Sequence, residues 1–166
     1  MRKVTLFILF FQLQLFCLGQ DMIVGAYRDH FGEKLEFLND SIFKHTWNFD
    51  LASSWTKGKY SLSNDTIFLK SILIKDTLTI RNSANKIIKD SLVVSRDDES
   101  SRIENIEFLM SEISGGGQYR KLPPEKLYLK KNKLFRLRDN GKIDKSKFKD
   151  WWSNKKFKTY FISENK

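Results

Sequence analysis

An antiparallel up-and-down β-meander closing into a barrel is the fold this sequence predicts, and three observations predict it. The first is a short pattern that occurs four times: Asn39-Asp40-Ser41-Ile42, Asn64-Asp65-Thr66-Ile67, Lys75-Asp76-Thr77-Leu78 and Lys89-Asp90-Ser91-Leu92. Asp and Asn accept turn geometry because their side chains bond nearby backbone, and Ser or Thr followed by alternating apolar residues opens a strand. The second is period-2 alternation, clearest at Phe43, His45, Trp47 and Phe49 against Ile42, Lys44, Thr46 and Asn48, which implies one packed and one wet face. The third is turn chemistry at short intervals, including Asn132 and Asn140-Gly141. The copies of the repeat are unequally spaced, which excludes a solenoid.

The N-terminal segment is processing information rather than fold. Arg2 and Lys3 form a positive n-region, and Val4 to Leu18 is apolar apart from Thr5, Gln12 and Gln14. Cys17 and Gly19 place small residues at −3 and −1 of a cut before Gln20. This pattern reads as a secretory signal peptide over residues 1–19 and is too short to span a bilayer, which takes about 20 apolar residues. Acylation at Cys17 is the less favoured alternative, since bulky Phe16 stands where lipoprotein processing wants a small residue. The expected location is therefore secreted or periplasmic, with no transmembrane segment after signal removal.

Cleavage after Gly19 leaves 147 of the 166 residues, 20–166, as one domain. A chain of that size buries about 70% of its unfolded surface. It would contain no cysteine, so no disulfide or thiol chemistry is available to it. Charge is unevenly placed. Residues 20–117 carry 12 basic and 15 acidic side chains, a net of −3, whereas 118–166 carry 16 basic and 5 acidic, a net of +11. The bland reading of this basic third is a solvated, edge-blunting Lys-rich face; the sharper one is an anionic partner.

In order, Ile23–Arg28 reads as a first strand. Lys34–Leu38 with Ser41–Phe49, and Thr56–Leu62 with Thr66–Leu73, read as hairpins. Thr77–Arg81 and Ser91–Val94 continue the meander, with Leu78, Ile80, Leu92 and Val94 pointing inward. Ser101 and Glu104 match a capping box, and Ile103, Ile106, Leu109, Met110 and Ile113 recur at helical spacing, so a helix is expected over 101–114, stopped by Gly115-Gly116-Gly117. Pro123-Pro124 excludes helix before a hairpin of Lys126–Lys131 and Lys133–Arg138. Phe148, Trp151 and Trp152 suit a second short helix at 145–153 over the barrel's end or side, and Lys158–Ile162 suits a closing strand. The total is about eight to ten strands with one or two short helices.

Gly25-Ala26-Tyr27, Gly58-Lys59-Tyr60 and Asp65-Thr66-Ile67-Phe68-Leu69, taken together, resemble small secreted lipocalin-like (calycin-type) β-barrel proteins of Gram-negative bacteria, most of them uncharacterised. The resemblance runs over residues 23–94, and the basic segment Pro123–Gly141 resembles the tail of such proteins. Tyr27 replaces the usual Trp, no Cys pair is present, and the Thr-Asp-Tyr motif of true lipocalins is missing. The resemblance implies a barrel with a binding cavity and implies no particular ligand.

Catalytic equipment is thin. His30 and His45 are the only histidines, and neither HExxH nor GxSxG occurs. Ser83-Ala84-Asn85-Lys86 matches SxxK without a following Lys-Thr-Gly, a chance match in a chain rich in Ser and Lys. The acidic run Asp97–Glu99 lacks the spaced oxygens of an EF-hand. A non-enzymatic protein without cofactor or metal is expected. Two candidate sites remain. Phe43, His45, Trp47 and Tyr60 are the expected wall of a pocket for a small apolar or amphipathic ligand, with His45 its one oriented polar group; the competing reading makes His45 a core or rim residue bonded to a neighbour. Lys126, Tyr128 and Lys130, with Arg136 and Arg138 if the two strand faces coincide, would form a cationic strip for an anionic envelope polymer or lipopolysaccharide. The signal peptide directs the chain away from nucleic acid.

Overall fold

The computed structural model describes residues 23–113, 116–150 and 152–164. The expected signal segment 1–19, with Cys17, and Trp151 lie outside the described residues. Eight strands close into an antiparallel barrel: β1 (Gly25–Arg28), β2 (Glu33–Phe37), β3 (Ile42–Phe49), β4 (Ala52–Ser63), β5 (Thr66–Ile72), β9 (Lys126–Lys130), β10 (Lys133–Arg136) and β13 (Phe161–Ser163). Neighbours follow chain order except at two insertions. The first, between β5 and β9, holds β6 (Lys75–Arg81), β7 (Ile87–Val94), β8 (Arg102–Glu104) and α1 (Asn105–Ile113). The second, between β10 and β13, holds β11 (Lys147–Lys149) and β12 (Lys156–Lys158).

The registers give the barrel two unlike ends. Phe37 lies opposite Phe43, Leu35 opposite His45 and Glu33 opposite Trp47, so the inner face changes from apolar to polar along β2 and β3. At the apolar end Phe37 packs edge-on to Tyr60 with centroids 4.8 Å apart, and the Tyr60 hydroxyl reaches the carbonyls of Ile23 (3.0 Å) and Asn39 (2.8 Å). Leu35, Phe43, Ile67, Leu127, Leu134 and Phe161 fill the interior above it without measurable exposure. Each such side chain stabilises the fold by roughly 1.5–3 kcal/mol relative to exposure. Gly58 makes room for this packing: a Cβ there would lie 2.6 Å from the Phe43 ring and 2.4 Å from the Lys70 carbonyl. The turns at this end are tight. Asn64-Asp65 and Lys131-Asn132 all have positive φ, the two-residue hairpin geometry that fits strand twist.

Both insertions leave from the other, polar end. The first forms a wing in which β6 pairs antiparallel with β7 and parallel with β8. It is fastened to the barrel by Gln118, whose side chain accepts from the Ile74 N–H (3.1 Å) and donates to the carbonyls of Ile74 (2.9 Å) and Ser95 (2.6 Å). Trp55 Nε1 adds a bond to the Arg96 carbonyl at 2.7 Å.

The wing departs from the sequence expectation in four respects. It is not a continuation of the meander, because β5 pairs with β9 instead. Leu92 and Val94 do not point inward: Thr77, not Leu78, lies opposite Leu92, which puts Leu92 on the uncovered face of an edge strand. The helix begins at Asn105 rather than 101. Asp76 takes the Ser101 N–H and hydroxyl (2.8 and 3.2 Å), so Ser101 cannot cap; Glu107 reaches back to the Glu104 N–H (2.8 Å) and caps one turn later. Residues 114–115, where the helix was expected to stop, are outside the description. Finally, Asp76 and Asp90 lie inside strands, so only the first two copies of the repeat mark turns.

The helix expected at 145–153 is also corrected. Lys147-Phe148-Lys149 and Lys156-Phe157-Lys158 alternate with period 2 and pair as a β-hairpin. Phe148 packs edge-on to Phe31 and Phe157 stacks on His30 (3.5 Å), contacts that an extended strand reaches. Among the described residues no helix is long and apolar enough to cross a membrane.

Candidate binding cavity at the barrel mouth

The polar end opens into a cavity of about 880 Å³. That lies within the range of small-molecule sites, roughly 300–1,000 Å³. Its floor is an ion cluster. Glu33 is the first residue of β2 and shares the inward face with Leu35 and Phe37, so strand alternation forces a carboxylate into the barrel. Its Oε1 lies 2.7 Å from Lys121 Nζ and 2.9 Å from Arg136 Nη2, and its Oε2 lies 3.1 Å from His45 Nε2. Burial alone would raise the Glu33 pKa. The His45 hydrogen bond and the Arg136 and Lys121 charges outweigh it and lower the pKa to about 2.

Asp29 shapes the turn before Glu33. Its Oδ1 accepts the N–H groups of Phe31 (2.8 Å) and Glu33 (2.9 Å), and its Oδ2 lies 3.4 Å from Arg136 Nη2. Burial, with the charge of Glu33, holds its pKa above the usual aspartate value despite those bonds. Arg136 is further fixed by donating Nε–H to the Thr159 carbonyl (3.0 Å) and by lying 4.9 Å over the Phe161 ring. In the same turn Gly32 has φ +83°, and a Cβ on it would sit 2.3 Å from the Asn48 carbonyl.

The walls are aromatic. Phe31, Trp47, Phe49, Phe148 and Trp152 line the cavity above the floor. Trp47 stacks parallel to Phe49 at 6.2 Å, and Lys121 Nζ sits 5.1 Å over the Trp47 ring. The β11–β12 hairpin supplies one wall, tied to the β1–β2 turn by the Phe contacts above and by His30 Nε2 lying 3.6 Å from Asp150. This arrangement can hold a flat or aliphatic body between rings while a polar group meets Lys121 and Arg136. Glu33 itself, with a pKa near 2, is a weak base at neutral pH.

Of the four residues expected to form a pocket wall, the structure brings only Trp47 to the cavity. Phe43 is buried over Gly58. Tyr60 seals the opposite end. His45 lies one layer below the floor, fully buried, and supports Glu33. A carboxylate only accepts, so His45 Nε2 carries the proton; Nδ1 and the hydroxyl of its cross-strand neighbour Thr56 have no hydrogen-bond partner among the described residues.

The two faces of the expected cationic strip do not coincide. Tyr128 lies opposite Phe135 and Leu127 opposite Arg136, so Lys126, Tyr128 and Lys130 face outward while Arg136 faces the barrel interior. Arg138 pairs with Asp144 at 3.1 Å instead. Asp29, Glu33 and Lys121 were not foreseen. Glu33 had a signal, a charged residue in phase with Leu35 and Phe37, whereas Lys121 lies in a loop whose sequence carries none.

Fold and site thus define a closed eight-stranded antiparallel barrel, filled through its middle, with an aromatic cavity over an ion cluster at one mouth. No protein-family model, curated protein or solved structure matches the chain.

Proposed function

We propose that this protein is a secreted or periplasmic, non-enzymatic, lipocalin-like barrel that binds one small amphipathic molecule in its mouth cavity. The observation that carries the reading is the cavity itself, five aromatic walls over a floor with two cations. Lys121 is the floor cation with reach to a ligand, its side chain 36% exposed against 22% for Arg136. Lys121 already pairs with Glu33, and Asp29, Asp50, Asp144 and Asp150 also line the cavity, so the ligand combines an apolar body with a small hydrogen-bond-accepting head that reaches Lys121. Export rests on Arg2, Lys3 and the apolar run that follows.

Dodecanoate titrated into the protein is expected to change tryptophan emission saturably at one molecule per chain. Trp47→Ala should weaken that binding at least about tenfold, the scale of losing a central aromatic anchor. Absence of saturable binding by folded protein, across dodecanoate and flat aromatic sulfonates, would contradict the reading. The alternative, contact with an anionic envelope polymer through the outer face of β9 and β10, keeps Lys126, Tyr128 and Lys130 but loses Arg136 and Arg138 to internal ion pairs.

A further inference from the structure

The β11–β12 hairpin carries a second feature, of which only Lys149 also borders the cavity. Lys147 lies opposite Lys158, and Lys149 opposite Lys156, with Phe148 and Phe157 paired between them. The phenylalanines face the barrel, so alternation places all four lysines on the other face of the ribbon. None of the four makes an ion pair among the described residues. Like charges directly opposite destabilise a strand pair, and a two-stranded ribbon is marginal to begin with. Two such pairs on three-residue strands are a cost to folding that an anionic partner would offset.

The hairpin's neighbours indicate which kind of anion. Trp152, in the hairpin turn, is 90% exposed, and Leu51 is 89% exposed at the tip of the β3–β4 turn, whose Phe49 and Asp50 line the same cavity as Trp152. A soluble polyanion has no use for bare apolar tips. A bilayer surface does, since tryptophan favours the membrane–water interface and lysines are drawn to anionic headgroups.

We propose that the mouth end of this barrel docks on an anionic phospholipid surface, with the lysine face of the β11–β12 hairpin against the headgroup phosphates and Trp152 and Leu51 entering the interface. The inference goes beyond ligand binding and does not depend on it, because vesicle binding is read without any cavity ligand.

The test is co-sedimentation of the protein with vesicles of equal parts phosphatidylglycerol and phosphatidylcholine, against pure phosphatidylcholine. Binding to the anionic vesicles alone is expected, with a blue shift of tryptophan emission and loss at high salt. Each lysine near such a surface contributes about fivefold to partition, so the variant K147Q/K149Q/K156Q/K158Q should lose on the order of a hundredfold or more. Its thermal melt should be unchanged or raised, because like-charge pairs are removed. Should it fail to fold, Lys149→Gln and Lys156→Gln alone should each lose about fivefold. Trp152→Ser should weaken binding and diminish the blue shift. No sedimentation of the unaltered protein with anionic vesicles at low salt would overturn the proposal, as would undiminished binding by the lysine variants. So would vesicle binding that heparin abolishes and Trp152→Ser leaves untouched, which would make the hairpin a site for soluble polyanions.

Discussion

Glu33 decides how the barrel mouth is built. A buried carboxylate is tolerated only when its charge is met, and here three donors meet it: Lys121, Arg136 and His45. Its pKa of about 2, against the ordinary 4.5, means that the folded state binds the proton less readily than the unfolded chain. The resulting stability is present above pH 4.5 and is lost as pH falls toward 2. The full difference is about 3 kcal/mol. Asp29 acts in the opposite sense, because its raised pKa favours the protonated folded state as pH falls. Glu33→Gln should cost about 3–5 kcal/mol at pH 7 by leaving Arg136 and Lys121 short of a partner. It should also flatten the loss between pH 4.5 and 2; urea midpoints measured across that range check both. At this scale the sequence was partly legible. Alternation placed His45 on the inner face, and the bland reading of it, a core or rim histidine bonded to a neighbour, left open the burial that its contact with Glu33 shows. Alternation along one strand could not tell which interior positions other side chains would fill. Phe43 and Tyr60 proved to be packing, and the open space lies above them.

At the scale of elements, the same local pattern does two different jobs. Asn39 Oδ1 accepts from the N–H groups of Ser41 and Ile42, the expected turn chemistry. Asp76 and Asp90 instead bond Ser101, and Thr79 with Arg102, across strands. An aspartate's neighbours in sequence do not reveal whether its partner is its own backbone or a residue 25 positions away. The Phe148-Trp151-Trp152 spacing misled for a related reason: helical and extended periods overlap across so few residues, and the period-2 Lys-Phe-Lys signal was the informative one. Gln118 supplies three of the hydrogen bonds that join the wing to the barrel. Gln118→Ala should therefore raise amide exchange in β6 and β7 while leaving β2, β3 and β4 protected. Hydrogen exchange read by mass spectrometry separates these regions, and equal loss of protection in both would show that wing and barrel unfold together.

Across the whole molecule, an up-and-down barrel with both insertions at one end places its open cavity at that end. The far end is sealed by Tyr60, Phe37 and tight hairpin turns. The mouth carries the ion cluster, the aromatic walls and the lysine ribbon. The charge asymmetry has its physical counterpart here, since Lys121, Arg136 and the hairpin lysines all belong to the basic third. The wing offers a rival apolar surface, with Leu92, Ile106 and Met110 each more than 60% exposed. Binding of an amphipathic molecule therefore has to be located as well as detected. The most direct measurement is amide chemical-shift mapping during titration with 1-anilinonaphthalene-8-sulfonate, a flat apolar body with an anionic head. The predicted shifts fall on Phe31, Gly32, Asn48, Asp50, Asp144 and Asp150 around the mouth. Shifts confined to Leu92, Ile106 and their neighbours on the wing, or none at all, would contradict a binding cavity in the barrel.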